Sequence, residues 1–263
     1  MVKVVNPQKS QISPSSGEIT TTVHNLLKSR NVAGRIVKLD DNSRDKIIEN
    51  FGVGNVAIPM QKVLDILGIR VMLASISAIE GREWEKRIMA LEFANRVAKH
   101  MPYELIRPLN AADKFIKGNA SAEELAYWHA EARNIRDKTE FAFKEKLAGV
   151  AMSVCSPDAN EAVSMTAMYA CDVVFNDTWN KSMDYIKANN VGHDNLNSEQ
   201  SCREFGDDDD NTMCLSMSDE ALEAERKAQE FILMHLFYCA KKDIPFTTTA
   251  AKLASRTTDN WSR

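Results

Sequence analysis

Glycine and proline are scarce in this chain, with 10 and 7 residues among 263. An all-β sandwich or barrel needs many tight turns, and tight turns draw heavily on these two residue types. Their scarcity therefore argues against an all-β fold. Hydrophobic residues make up 44% of the chain and charged residues 27%, which is ordinary for a globular protein. The length is close to the upper limit for one hydrophobic core, so we expect one large domain with at most a small attachment.

Long apolar runs are also missing. No run of about 18 apolar residues occurs, so the sequence predicts no membrane-spanning helix. Met1–Val5 is followed by polar residues rather than by the apolar core of a secretory signal peptide. The net charge of −4 does not favour a nucleic-acid partner.

The cysteines form no CxxC pair. There are five of them, Cys155, Cys171, Cys202, Cys214 and Cys239. An odd number of widely spaced cysteines is typical of a reducing compartment, where thiols stay free. We therefore expect a cytoplasmic protein.

Most of the structural signals in the sequence are helical patterns and helix-boundary residues. Pro108 fits the first turn of a helix, and Gly118 fits the left-handed residue that follows a helix end. Ser121 and Glu124 have the spacing of a capping box, which would begin the longest predicted helix, Ala122–Val150. We predict an all-α fold of about eight helices, arranged as an orthogonal bundle or a short array of helical hairpins.

The segment Glu83–Lys99 has an amphipathic pattern in which apolar residues alternate with charged ones. Lys86, Arg87, Glu92 and Arg96 belong to the charged set. The pattern therefore predicts an amphipathic helix, and a surface helix of this kind has its charged side chains in solvent.

Composition divides the chain into three parts. Residues 1–17 are rich in serine and proline and form a predicted flexible N-terminal arm. Residues 18–80 form a predicted N-terminal helical attachment, and residues 81–263 form the main helical domain. Within the attachment, Gly34–Leu39 is either a short strand or an extended link. Within the main domain, residues 189–218 are dominated by Asn, Asp and Ser and are predicted to form a long acidic loop.

The last helical pattern covers Asp219–Lys242, with Ser218 as its predicted N-cap. Its second half, beginning with Phe231–Phe237, is almost wholly apolar and is predicted to be central in the core. Another apolar helix, Val63–Ile79, lies towards the other end of the chain. These two helices are compatible with a symmetric homodimer that forms through helix–helix contacts.

The acidic loop contains a run of four aspartates, and clustered carboxylates are typical of calcium-binding loops. Counted from the first of them, Thr212 is sixth and Ser218 twelfth, where an EF-hand needs glycine and glutamate. The motif therefore fails. Either the loop is solvated and mobile, or it is an anionic surface that docks a protein partner with a basic surface. The residues of such a surface would be Glu204, Asp207, Asp208, Asp209 and Asp210.

Histidine supplies one candidate for catalytic chemistry. His129 lies on the longest predicted helix, near Glu131 and Arg133, and these three residues are the best candidate for a polar pocket. Side chains at i and i+2 on a helix do not face each other, so a half-exposed histidine without a catalytic role is the simpler interpretation.

Metal and cofactor motifs are absent from the sequence. His193, Cys202 and Cys214 share the acidic loop and could bind zinc in principle, but their spacing matches no zinc motif. The sequence contains no GxSxG, P-loop or GxGxxG segment. We therefore predict no cofactor and no metal site.

Three features occur in order within residues 83–186. Arg107–Pro108 has the pattern of a helix start, Phe115–Gly118 places an apolar pair shortly before glycine, and Ser121–Leu125 starts a long alanine-spaced helix. This order resembles the helical immunity proteins of bacterial polymorphic-toxin systems. The resemblance implies a helical protein that binds and neutralises a cognate toxin without catalysis, and similar helical modules occur in phage proteins.

Three functional hypotheses follow. The first is a non-enzymatic helical protein that captures and inhibits a protein partner, either a toxin or a host defence enzyme. The second is an all-α enzyme with a polar pocket around His129. The third is a structural or assembly subunit.

Overall fold

The computed structural model describes residues 17–28, 30–32, 35–37, 39–76, 79–189 and 209–242. These residues form nine α-helices, one 3-10 turn and two short antiparallel strand pairs, so the predicted all-α fold is confirmed. The elements in chain order are β1 Thr20–Thr22, α1 Val23–Leu27, β2 Arg30–Val32, β3 Arg35–Val37, α2 Asp41–Phe51, β4 Ala57–Pro59, α3 Met60–Ser75, α4 Glu83–Val97, the 3-10 turn Ala98–His100, α5 Tyr103–Ile116, α6 Ala122–Lys138, α7 Ala142–Val154, α8 Ala159–Asn189 and α9 Asp209–Lys242.

The N-terminal attachment contains strands as well as helices. β1 pairs with β4, with Thr20 opposite Pro59, and β2 pairs with β3 as a hairpin. The backbone N–H of Met60 donates to the carbonyl of Ile19 at 2.9 Å, which ties the start of α3 to the chain before β1. The strand alternative for Gly34–Leu39 agrees with β3, whereas the other three strands of the attachment were not predicted.

The attachment packs directly on the main bundle. α3 contacts both α8 and α9, and Met72 belongs to the same hydrophobic core as Phe93 and Leu233. At the surface, Lys241 Nζ lies 3.1 Å from the carboxylate of Glu18. The described parts of residues 18–80 and of the main domain therefore share one core.

Helix α4 occupies the centre of this core, where it contacts α5, α7, α8 and α9. Lys86, Arg87 and Glu92 are buried there along with the apolar residues of the helix. The prediction that these charged side chains face solvent is therefore wrong. Neighbouring helices cover nearly the whole circumference of α4, and that coverage cannot be deduced from the local pattern.

The predicted helix Ala122–Val150 is divided in two. α6 ends at Lys138, and α7 begins at Ala142 with Phe141 as its N-cap residue. Thr139 has an extended backbone, and its N–H bonds the carbonyl of Arg136. Neither glycine nor proline stands at this break, so the usual punctuation signal is missing.

The helix boundaries around α5 and α6 follow the sequence in part. Gly118 has a φ of 71°, and Ser121 Oγ accepts a hydrogen bond from the N–H of Glu124 at 3.2 Å, as predicted. Pro108, however, lies inside α5, because that helix begins at Tyr103 after Pro102.

The acidic loop is shorter than predicted. α8 continues to Asn189 and α9 already begins at Asp209, so residues 209–218 are helical. Ser218 is fully buried inside α9 and is not its N-cap. Residues 190–208 lie outside the described part of the chain. In the described ranges, no helix combines the length and apolarity needed to cross a bilayer.

Candidate protein-binding surface

Helix α9 has one face in the core and one face in solvent. It packs mainly on α8 and also contacts α3 and α4. The core face carries side chains that are almost fully buried. They are Ser218, Glu225, Gln229, Ile232, Leu233, Leu236, Phe237 and Cys239.

The opposite face, which we call the outward face of α9, is exposed along the described side chains of the helix. At 3.6 residues per turn, its members fall in a stripe roughly 100° wide. Those members are Ser216, Glu220, Glu223, Ala224, Lys227, Phe231, Met234, Tyr238, Lys241 and Lys242.

Three large apolar side chains lie in the middle of this stripe. Phe231 is 47% exposed, Met234 45% and Tyr238 55%. The prediction that Phe231–Phe237 is central is therefore correct for only part of that segment. Apolar residues that line one exposed stripe, with charged residues on either side, have the composition of a protein-binding surface.

Charge is distributed unevenly along the exposed side of α9. Its first half carries Asp219, Glu220 and Glu223, which are all exposed, while Lys241 and Lys242 lie at its end. The helix therefore presents carboxylates at one end and ammonium groups at the other. This order also matches the helix dipole, which favours acids near the N-terminus and bases near the C-terminus.

The predicted acidic site is only partly described. Asp209 and Asp210 are the first two residues of α9, whereas Glu204, Asp207 and Asp208 lie outside the described residues.

A buried ion pair fixes the orientation of α9. Arg96 Nε on α4 donates to both carboxylate oxygens of Glu225, at 2.9 and 2.8 Å. Gln229 Nε2 donates to the same carboxylate at 3.3 Å and to the carbonyl of Ala167 on α8 at 3.2 Å. Burial raises the pKa of Glu225, and Arg96 opposes this rise. These bonds set which side of α9 faces solvent.

The other buried bases of α4 anchor the start of α8. Lys86 Nζ donates to the carbonyl of Ile79 and, at 2.7 Å, to Oδ1 of Asn160. Arg87 donates to the carbonyls of Ser156 and Pro157 at 2.9 and 2.8 Å. Because their donors are used by these partners, both bases hold the structure together and do not face an open site.

Glu92 is a buried carboxyl group whose pKa lies in the neutral range. It is 1% exposed, and burial, aided by the charge of Asp113, raises its pKa to about 7. Within the part of the chain that the structure describes, its Oε2 has no hydrogen-bond partner. Perturbed carboxyl groups often mark active sites, but a group so fully enclosed cannot meet a substrate.

The three residues of the predicted polar pocket do not come together. His129 Nδ1 lies 2.9 Å from the carbonyl oxygen of Met152, so its ring faces α7. Glu131 projects from nearly the opposite side of α6, since two residues correspond to about 200° of rotation. Arg133 is exposed. Among the described side chains, no group of three or more His, Cys, Asp or Glu residues could hold a metal ion.

Two shallow hollows on the surface also leave out this trio. One, of about 400 Å³, is lined by residues that include Glu104, Lys138 and Phe141. The other, of about 550 Å³, is lined by residues that include Leu27 and Val53. The first hollow holds Glu104, Lys138, Glu140 and Lys144, but these are surface side chains, and Lys144 Nζ lies 3.4 Å from the carboxylate of Glu104. Neither hollow has the enclosed polar groups of an active site.

The cysteines contribute no reactive site among the residues described. Cys155 is fully buried, and burial raises its pKa; burial also raises the pKa of Cys171 to about 12. Thiols in such surroundings are inert. His193 and Cys202 lie outside the described residues, and of Cys214 only the backbone is described, as part of α9.

Comparison with known proteins gives no relative. None of the known family models, curated proteins or solved structures matches this chain.

Proposed function

We propose that this chain is a non-enzymatic helical protein that captures and inhibits a protein partner, in the manner of toxin-immunity proteins or of phage counter-defence inhibitors. The observation that carries the proposal is the exposed side of α9, which presents carboxylates and apolar side chains on one anchored helix. Residues 83–186 resemble helical immunity proteins, and this resemblance supports the same function. Membership of that family stays a prediction.

The acidic half of α9 is the contact that we assign to the captured partner. Glu204 and the run Asp207–Asp210 lead into this half, and exposed Asp219, Glu220 and Glu223 continue it. Clustered charge of one sign speeds the encounter with a surface of opposite charge and selects against like-charged partners. The expected partner therefore presents a basic surface, such as the substrate groove of a nuclease.

Anchoring of α9 supports this assignment. The Arg96–Glu225 ion pair and the bonds of Gln229 hold the helix against α4 and α8. Carboxylates on an anchored helix lose little conformational freedom on binding, since the backbone that carries them is already ordered. A rigid acidic surface is well suited to an inhibitor that occludes its target.

The test is affinity capture from a lysate of the native host with three forms of the full chain. The first is the parent, and the second replaces all four residues of Asp207–Asp210 by serine. The control replaces four exposed carboxylates on other elements by serine, namely Asp45, Glu49, Asp65 and Glu140. Captured protein is eluted at about 50 mM and about 300 mM salt, because screening weakens exposed charge contacts.

We expect the parent and the control to retain one stoichiometric protein at low salt and the Asp207–Asp210 variant to lose it. Purified partner, if it is an enzyme, should be inhibited by the parent in proportion to the bound fraction. Equal retention by all three forms would show that the acidic run is not the contact. Capture of nothing by any form would overturn the proposed function.

A further inference from the structure

We propose that the outward face of α9 from Glu220 to Lys242 pairs antiparallel with the same face of a second copy. The product is a twofold-symmetric homodimer whose axis passes near Phe231. This interface goes beyond the capture of another protein and does not depend on it.

The first argument is the apolar surface that pairing would cover. Phe231, Met234 and Tyr238 follow one another at spacings of three and four residues, so they form a continuous row on one side of the helix. All three are about half exposed. A row of this kind gains stability when an apolar surface covers it. A second copy carries the same row, and a twofold interface joins one patch to itself.

The second argument is the match in side-chain size about Phe231. In an antiparallel pair centred there, Met234 of one copy lies opposite Ala228 of the other, because both are three residues from the axis. Tyr238 lies opposite Ala224, each seven residues away. Ala224 is exposed and Ala228 is half-buried. Large side chains would thus meet small ones, which allows two helices to interlock.

The third argument is the charge at the ends of the same register. Glu220 and Lys242 lie eleven residues on either side of Phe231, so the Glu220 carboxylate of each copy lies opposite the Lys242 ammonium group of the other. A parallel pair would instead place Glu220 against Glu220 and Lys242 against Lys242. Like charges at close range are unfavourable. The charge order of α9 therefore selects the antiparallel arrangement.

The acidic start of α9 remains available in this dimer. Residues 209–219 precede the paired segment, so they extend beyond it at each end of the helix pair. Glu220 and Glu223 lie within the paired segment, so in the dimer the captured partner meets Asp207–Asp210 and Asp219. Lys241 already lies 3.1 Å from Glu18 of its own chain, which leaves Lys242 to meet the second copy. The dimer would present two separate acidic ends to captured partners.

The first experiment measures the mass of the full chain in solution by light scattering and sedimentation over about a hundredfold range of concentration. A charge placed in the apolar centre of an interface must lose its water without gaining a partner, so Phe231→Glu should raise the dissociation constant of the dimer by about tenfold or more. We expect a dimer for the parent and a monomer for Phe231→Glu. The control is Tyr127→Glu, which alters an exposed aromatic on α6 and should leave the dimer intact.

A charge exchange tests the register. Glu220→Lys and Lys242→Glu should each weaken the dimer, and the double variant should restore it, since opposite charges again face each other. All four residues that these tests change are exposed, so the variants should retain the helical circular dichroism of the parent. The thermal midpoint should fall only for the variants that lose the dimer, because association stabilises the folded chain.

Three results would overturn the inference. They are a parent that is monomeric at every concentration, a dimer that survives Phe231→Glu, and a double charge variant that fails to recover. None of these results bears on capture through Asp207–Asp210, because that contact is measured separately in the lysate experiment.

Discussion

Arg96 and Glu225 form an ion pair that is sealed between α4 and α9, with side chains that are only 10% and 3% exposed. The two residues are 129 positions apart in the chain, so only the tertiary fold brings them together. Their contact does more than add stability. It holds one side of α9 against α4, and Phe231, Met234 and Tyr238 lie on the exposed side.

Substitution of Arg96 should therefore lower the free energy of unfolding. Removal of one partner of a buried pair leaves the other charge uncompensated, which typically costs 3–5 kcal/mol. We expect Arg96→Met to lower the free energy of unfolding in urea at pH 7 by about that amount. The double variant Arg96→Met with Glu225→Met should recover much of the loss. As a control, Lys117→Met breaks the exposed pair with Asp113 and should cost less than about 1 kcal/mol. Equal losses for the buried and the exposed pair would contradict this account.

Glu92 should make stability depend on pH near neutrality. Its folded pKa, about 7, lies above the ordinary 4.5, so the folded state binds more protons than the unfolded state between these two values. Stability then falls as pH rises through this window. Glu92→Gln removes the cost of ionisation, so at pH 8 it should raise the free energy of unfolding by up to about 3 kcal/mol.

Urea unfolding of parent and Glu92→Gln from about pH 4 to pH 8 checks this result. Below about pH 4.5 the two curves should coincide, because Glu92 is then protonated in both states. The control is Glu49→Gln, at an exposed position of α2, which should not raise the free energy of unfolding at pH 8. Parallel curves for Glu92→Gln and parent across the whole range would refute a raised pKa.

Gly149 should not tolerate a larger residue. A Cβ atom at this position would lie 2.7 Å from Cε1 and 2.9 Å from Cγ of the Tyr169 ring on α8. We expect Gly149→Ala to cost about 1–3 kcal/mol through overpacking. In a Tyr169→Ala background, which removes all the ring atoms that a Cβ at position 149 would meet, the same change should become neutral or stabilising by up to about 1 kcal/mol, since alanine favours helix. Thermal and urea unfolding of the four proteins in this cycle measure the coupling. Additive effects would mean that the ring is not the obstacle.

Ser121 should contribute as an N-cap. Its Oγ accepts the N–H of Glu124, so Ser121→Ala should destabilise the protein by about 1 kcal/mol. Ser121→Asp keeps an acceptor and should lose little. Urea midpoints at constant slope report the difference. If the aspartate and alanine variants were equally unstable, capping would not explain the effect.

Local signals in the sequence predict the parts of the fold that depend on near neighbours. The positive φ of Gly118 and the cap at Ser121 were foreseeable, because each involves atoms within a few residues. The turn at Thr139 was missed because the chain there lacks glycine and proline. The strand pairs of residues 18–80 were missed as pairs because their partners lie far apart or their patterns are too short.

For the candidate site as well, the sequence predicted some residues and missed others. Sequence composition pointed to the acidic residues around Asp207–Asp210, but the outward position of Phe231, Met234 and Tyr238 was hidden within an apolar run. If that run is a helix with 3.6 residues per turn, these three residues lie on a different face from Ile232, Leu233 and Leu236. This difference is the sequence signal that could have predicted their exposure.

By itself the sequence determined that this protein is helical, where several of its helices begin and end, and that α9 has two chemically different halves. These properties follow from contacts between residues close in the chain. Only the tertiary structure decided that Lys86, Arg87 and Glu92 are buried, that Arg96 meets Glu225, and which face of α9 is open to a partner. The physical reason is that burial depends on which helices surround a given helix, and that arrangement is set by contacts across the whole chain.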